Sequence, residues 1–76
     1  MGDFGSVHWK DLERFLFAHG CELKRTKGDH RIYTKPGVKR PLIIPQYNPL
    51  PAFIVLNNLR VLGVSKGEFL KFLRAT

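Results

Sequence analysis

Acidic residues and cysteine are both scarce in this 76-residue chain: six Asp and Glu stand against 13 Lys and Arg, and Cys21 is the single cysteine. One cysteine excludes an intramolecular disulfide and a Cys-rich zinc site. It fits a reducing compartment, and a cytoplasmic location is expected. No apolar run approaches the roughly 18 residues that a membrane span requires. The opening "MGDFGSV" has neither the basic stretch nor the long apolar core of a signal peptide. No membrane partner is therefore expected, although "MGDFGS" does fit the loose myristoylation pattern through Gly2 and Ser6. There is no Walker loop and no nucleophile elbow. Asp11 and Glu13 are the nearest thing to paired carboxylates, and on a helix they face different ways. His8, His19 and His30 form no metal-ligand motif with Cys21, so neither metal nor cofactor is expected. Repeats, linkers and low-complexity segments are missing too. A single domain over residues 1–76 is expected, with 1–5 as a loose tail. A chain of this size buries only about 60–65 % of its unfolded surface. An apolar fraction of 43 % is enough for a small core.

Positive charge is what the chain has in abundance. The formal net charge is +7, which favours a polyanionic partner. It is unevenly spread. Residues 21–40 hold Lys24, Arg25, Lys27, Arg31, Lys35, Lys39 and Arg40 against Glu22 and Asp29, so five of the seven net charges lie in this stretch. A solvated hairpin with lysine-protected edges is one reading. A nucleic acid or an acidic protein partner is the other.

Periodicity divides the chain into six elements. Ser6 is expected to cap a helix over 7–19, where Trp9, Leu12, Phe15, Leu16 and His19 share one face. His8 falls in its solvated first turn and His19 in its last. Gly20 follows at the usual stop position. Residues 21–27 read as a strand, with Cys21 and Leu23 alternating with Glu22 and Lys24. Lys27-Gly28 makes a turn. Residues 29–34 form a second strand, with His30, Ile32 and Thr34 on one face and Arg31 and Tyr33 on the other. Lys35-Pro36-Gly37-Val38 is a turn signal. Residues 39–45 form a third strand, an edge strand because Pro41 cannot donate to a ladder. Pro51 opens a second helix that ends at Gly63. Ser65 and Glu68 have capping-box spacing for a third helix carrying Phe69, Leu70, Phe72 and Leu73. The order is α-β-β-β-α-α, and the simplest layering is an α+β fold with helices on one face of a three-stranded antiparallel sheet. On the second helix Val55, Leu59 and Leu62 form the buried stripe. Phe53, Leu56 and Val61 fall partly outside it, to be covered by the third helix or left as an exposed patch.

His30 stands apart from the other histidines. It follows a glycine turn, near the surface, with Lys27 and Arg31 close in sequence and Lys24 and Arg25 on the adjacent strand. A phosphodiester could dock among these cations, with His30 as the nearby side chain that titrates near neutrality. A non-catalytic nucleic-acid-binding face and a protein-binding face fit the same residues.

At "KGDHRIY" the sequence resembles the HicA family of bacterial toxins, also called YcfA-like proteins. The likeness covers roughly residues 7–73. It includes Gly20 after the first helix, "ELKRTKGDHRIY", "PLIIP", "LP" before the second helix and "LGVSKGEFLKFL". The resemblance implies an α-β-β-β-α core similar to double-stranded-RNA-binding domains. It implies a small ribonuclease, an mRNA interferase, neutralised by a HicB-like antitoxin; the oligomeric state stays open, with a monomer expected when free. The family's catalytic histidine lies in a Gly-small-His motif, which falls on Gly28-Asp29-His30. On this reading His30 is catalytic without a metal, and Lys24, Arg25, Lys27, Gly28 and Arg31 hold RNA. Three departures are visible. Asp29 replaces a small residue, so its carboxylate either repels phosphate or favours a protonated His30. Gln46-Tyr47-Asn48 replaces a further histidine after Pro45. Ala52-Phe53-Ile54 replaces a Gly-containing turn.

Overall fold

The computed structural model describes residues 6–75. The expected loose tail at 1–5 lies outside the described residues. The elements are α1 (Trp9–Ala18), β1 (Glu22–Lys27), β2 (His30–Thr34), β3 (Leu42–Pro45), α2 (Ala52–Leu62) and α3 (Lys66–Ala75). The three strands pair antiparallel in the order β1-β2-β3, so β3 is an edge strand as expected, but it starts at Leu42, after Pro41, and not at residue 39. The chain is thus an α+β fold with the expected α-β-β-β-α-α order.

Helix α1 starts later than expected, and the cap is His8 rather than Ser6. His8 Nδ1 accepts from the Lys10 amide at 3.1 Å, and Asp11 Oδ2 accepts from the His8 amide at 3.1 Å. A ring nitrogen thus does the work of a hydroxyl, satisfying one of the free amides at a helix start. His8 is therefore a helix cap and not merely a solvated side chain. Helix α2 ends at Gly63, whose φ of +85° suits only glycine without strain. The Ser65–Glu68 capping box of α3 forms reciprocally, at 3.1 and 3.3 Å.

Helices α1 and α2 lie against one face of the sheet, and α3 packs on these two helices. Leu12, Phe15 and Leu16 of α1, Val55 and Leu59 of α2 and Phe69 of α3 meet Tyr33, Leu42 and Ile44 in one buried core. Phe15 is its centre, edge-on to Phe69 at 5.0 Å and to Phe72 at 5.2 Å. Edge-to-face rings add about 1 kcal/mol each to simple burial. Cys21 is part of the same core, and burial pushes its thiol up from the ordinary range, with Lys35 opposing. It is a packing residue in the thiol form. Asn58 is the buried polar side chain of α2, donating to the Ile43 carbonyl at 3.1 Å and to the Ile54 carbonyl at 2.9 Å. The first of these bonds ties α2 to the edge strand.

Candidate nucleic-acid interface and the His30 site

The turn that carries His30 is a two-residue hairpin loop, Gly28-Asp29, between paired Lys27 and His30. Gly28 has φ +61°, while no non-glycine residue among those described has a positive φ. This is the pattern of a hairpin turn with glycine at its first central position. The Gln46 amide donates to the Asp29 carbonyl at 2.8 Å. The tip of the hairpin is thereby tied to the end of β3, where His30 pairs with Pro45.

The second face of the sheet is open. On β2, Tyr33 is buried and Arg31 reaches α1, so His30 and Ile32 point the other way. Paired residues share a face, and Lys27 pairs with His30 while Arg25 pairs with Ile32. Strict alternation from Leu23, which pairs with buried Tyr33, would have turned Arg25 and Lys27 towards the helices. A bulge between Leu23 and Arg25 prevents this. The extra residue, Lys24, flips the rest of β1, so that Arg25 and Lys27 join His30 on the open face. Ile43, 43 % exposed, lies on it as well, paired with Ile32.

Within this face His30 has one defined partner. Its Nδ1 lies 2.9 Å from Asp29 Oδ1. Against an ionised carboxylate Nδ1 carries the proton, which leaves Nε2 as the nitrogen able to accept one. Asp29 was the residue whose effect the sequence left open; here it orients the imidazole.

Arg31 is placed differently from Lys24, Arg25, Lys27 and Gly28. It lies on the helix face, its Nε donating to Glu13 Oε2 at 2.8 Å and to the Tyr33 hydroxyl at 3.1 Å. Its guanidinium sits over the Trp9 ring, 5.1 Å from the centroid. The Tyr33 hydroxyl also donates to Glu13. Burial, with the bond to Glu13, pushes the Tyr33 hydroxyl well above its ordinary value, so it stays a donor. The sequence sets Glu13 only beside Asp11 on the first helix. Its partners lie 18 and 20 residues away, so no local spacing announces the contact.

Among the described residues no three of His, Cys, Asp and Glu gather as a metal-ligand group, and no helix is long and apolar enough to cross a membrane. The family model described as the HicA toxin of bacterial toxin-antitoxin systems matches residues 9–64. The chain belongs to the HicA toxin family. The match runs from the start of α1 through the Gly28-Asp29-His30 turn to the residue after Gly63. No curated protein matches the chain. Membership in the HicA family makes this chain a toxin of a toxin–antitoxin system, with an antitoxin as its partner.

Proposed function

We propose that this HicA-family toxin is an endoribonuclease that cuts mRNA, with His30 as its catalytic residue. Nε2 of His30 takes the proton from a ribose 2′-hydroxyl as the oxygen attacks the adjacent phosphorus. The P–O5′ bond breaks, the departing oxygen takes up a proton from water, and the His30 imidazolium returns its proton to solvent. The products are a 2′,3′-cyclic phosphate and a 5′-hydroxyl. Lys24, Arg25 and Lys27 hold the phosphate and offset the charge that builds on its oxygens. Gly28 lets the backbone approach closely at the turn. Arg31 supports the site from behind, through Glu13 and Tyr33, rather than touching RNA. The work is done in the cytoplasm, and no cofactor takes part.

The observation that carries this reading is the Asp29–His30 pair at 2.9 Å. It gives the imidazole one defined tautomer on an exposed face that also holds Arg25 and Lys27. A domain that only bound RNA would need the cations and not this pair. Incubation of the protein with a defined RNA tests it. Cyclic-phosphate ends and unchanged rates in chelator are expected, and His30→Ala should lower the rate by at least about 10²-fold. Strict magnesium dependence, or cutting of an all-deoxy strand, overturns the mechanism.

The partner surface belongs to the same proposal. Phe53 is 69 % exposed and Leu56 42 % exposed on the outer side of α2. Together with Ile54, Asn57 and Arg60 they line an open groove. Apolar side chains with an arginine at the border fit an antitoxin that brings an apolar anchor rimmed by acidic groups. A HicB-like antitoxin is the occupant we propose.

A further inference from the structure

From His30 to Gly67 the chain has no Asp or Glu, yet it carries Arg31, Lys35, Lys39, Arg40, Arg60 and Lys66. Arg31 is neutralised by Glu13 from outside this stretch. Three of the others converge. Lys39 and Arg40 of the β2–β3 connection and Arg60 of α2 line one open groove of about 470 Å³, with Gly37, Val38, Val61 and Leu62. Among the described residues none of the three cations forms an ion pair. The groove lies at the Thr34 end of β2, whereas His30 lies at the other. Four residue steps along a strand separate those ends by about 13 Å, and α2 lies on the face of the sheet away from His30, so an RNA joining the two sites passes round the sheet.

We infer that this groove holds a backbone phosphate of the RNA, as a second contact point a few nucleotides from the bond cut at His30. This rests on the ribonuclease reading above. Two arginine forks and one ammonium suit phosphate oxygens. The apolar Val38, Val61 and Leu62 leave less water to screen them than a flat lysine surface has. The free cations need a counter-charge that no neighbouring carboxylate supplies. A chain of phosphates reaching from His30 provides it.

The test compares the protein with its Lys39→Gln/Arg40→Gln/Arg60→Gln variant, both on a His30→Ala background so that the probe stays intact. The probe is a labelled single-stranded RNA of about twelve nucleotides, a length within the usual range of such sites. Affinity is measured over a range of salt. Loss of one neutralised phosphate should flatten the log–log salt slope by about 0.7 in the triple variant. With His30 restored, the triple variant should cut a dinucleotide at the unaltered rate and a long RNA with a raised KM. An unchanged slope in a folded variant overturns the groove and leaves the His30 reading standing. The groove is also overturned if the slope is unchanged while antitoxin binding is lost, since the surface then belongs to the protein partner. If the parent shows no salt-dependent RNA binding, the ribonuclease reading fails and the groove fails with it. Should the triple variant unfold, the three single variants give the same readout as smaller shifts in the same direction.

Discussion

At position 29 a carboxylate beside a phosphate site has two opposed effects. Its charge repels the substrate, and its hydrogen bond fixes the imidazole. The contact at 2.9 Å to His30 Nδ1 favours the second, because an oriented base gains in every turnover while an exposed charge is screened by salt. Asp29→Ala is therefore expected to lower kcat on the order of tenfold, less than loss of His30 itself. Asp29→Asn should restore part of that loss, since its side-chain oxygen still accepts from Nδ1. Single-turnover cleavage of a defined RNA checks both. A rise in kcat for Asp29→Ala means that repulsion outweighs orientation.

At the scale of the element, β1 and β2 sort their cations into two classes. Arg25 and Lys27 lie on the open face because of the bulge at Lys24, while Arg31 lies on the helix face in contact with Glu13, Tyr33 and Trp9. Arg25→Ala and Lys27→Ala should each flatten the salt slope of RNA binding by about 0.7 and leave stability within about 0.5 kcal/mol. Arg31→Ala should do the reverse, leaving the slope unaltered and costing about 2 kcal/mol as the Glu13 carboxylate loses its ionic partner in a half-buried place. Urea unfolding and salt titrations on the same variants separate the two classes. A flattened slope for Arg31→Ala would show that its guanidinium reaches the RNA after all.

On α2 the same sorting divides core from partner surface. Val55 and Leu59 are buried, while Phe53 and Leu56 on the opposite side are not. Phe53→Ser should weaken antitoxin binding by tenfold or more, as removal of a large aromatic anchor does. Cleavage by the free toxin and its thermal midpoint should be unchanged. Co-purification with the antitoxin and a melting curve decide it, and a lowered midpoint shows that Phe53 serves the fold instead.

For the whole molecule the governing quantity is +7 on 76 residues. Self-repulsion strains the free domain and attraction drives RNA binding, and salt screens both. The two properties should therefore move in opposite directions. Between about 20 and 200 mM salt the thermal midpoint of the free toxin should rise by a few degrees. RNA affinity should fall by about 10²-fold or more over the same range. A midpoint that falls with salt would mean that the ion pairs at Arg14–Asp11 and Arg31–Glu13 outweigh the repulsion.

The sequence by itself determined the element order, because helical spacing, two-residue alternation and Pro, Gly and Ser punctuation are local signals. Gly28, Gly63 and the Ser65–Glu68 box stand where those signals put them, and Val55, Leu59 and Leu62 form the buried stripe. Local also was the likeness around "KGDHRIY", which pointed to the family that the match over 9–64 then established. Only the tertiary structure decided which cations share a face with His30. Alternation read along β1 alone puts Arg25 and Lys27 with Leu23. The pairing to β2 absorbs Lys24 as a bulge and turns them over, since register is set by the partner strand and the core beneath it. Two-residue alternation already put Arg31 on the face opposite His30, but its contact with Glu13, 18 residues away, came only with the packing of α1 on the sheet. Likewise Lys39 and Arg40 met Arg60 only when α2 packed back across the sheet, because contacts between residues twenty apart leave no period in the chain.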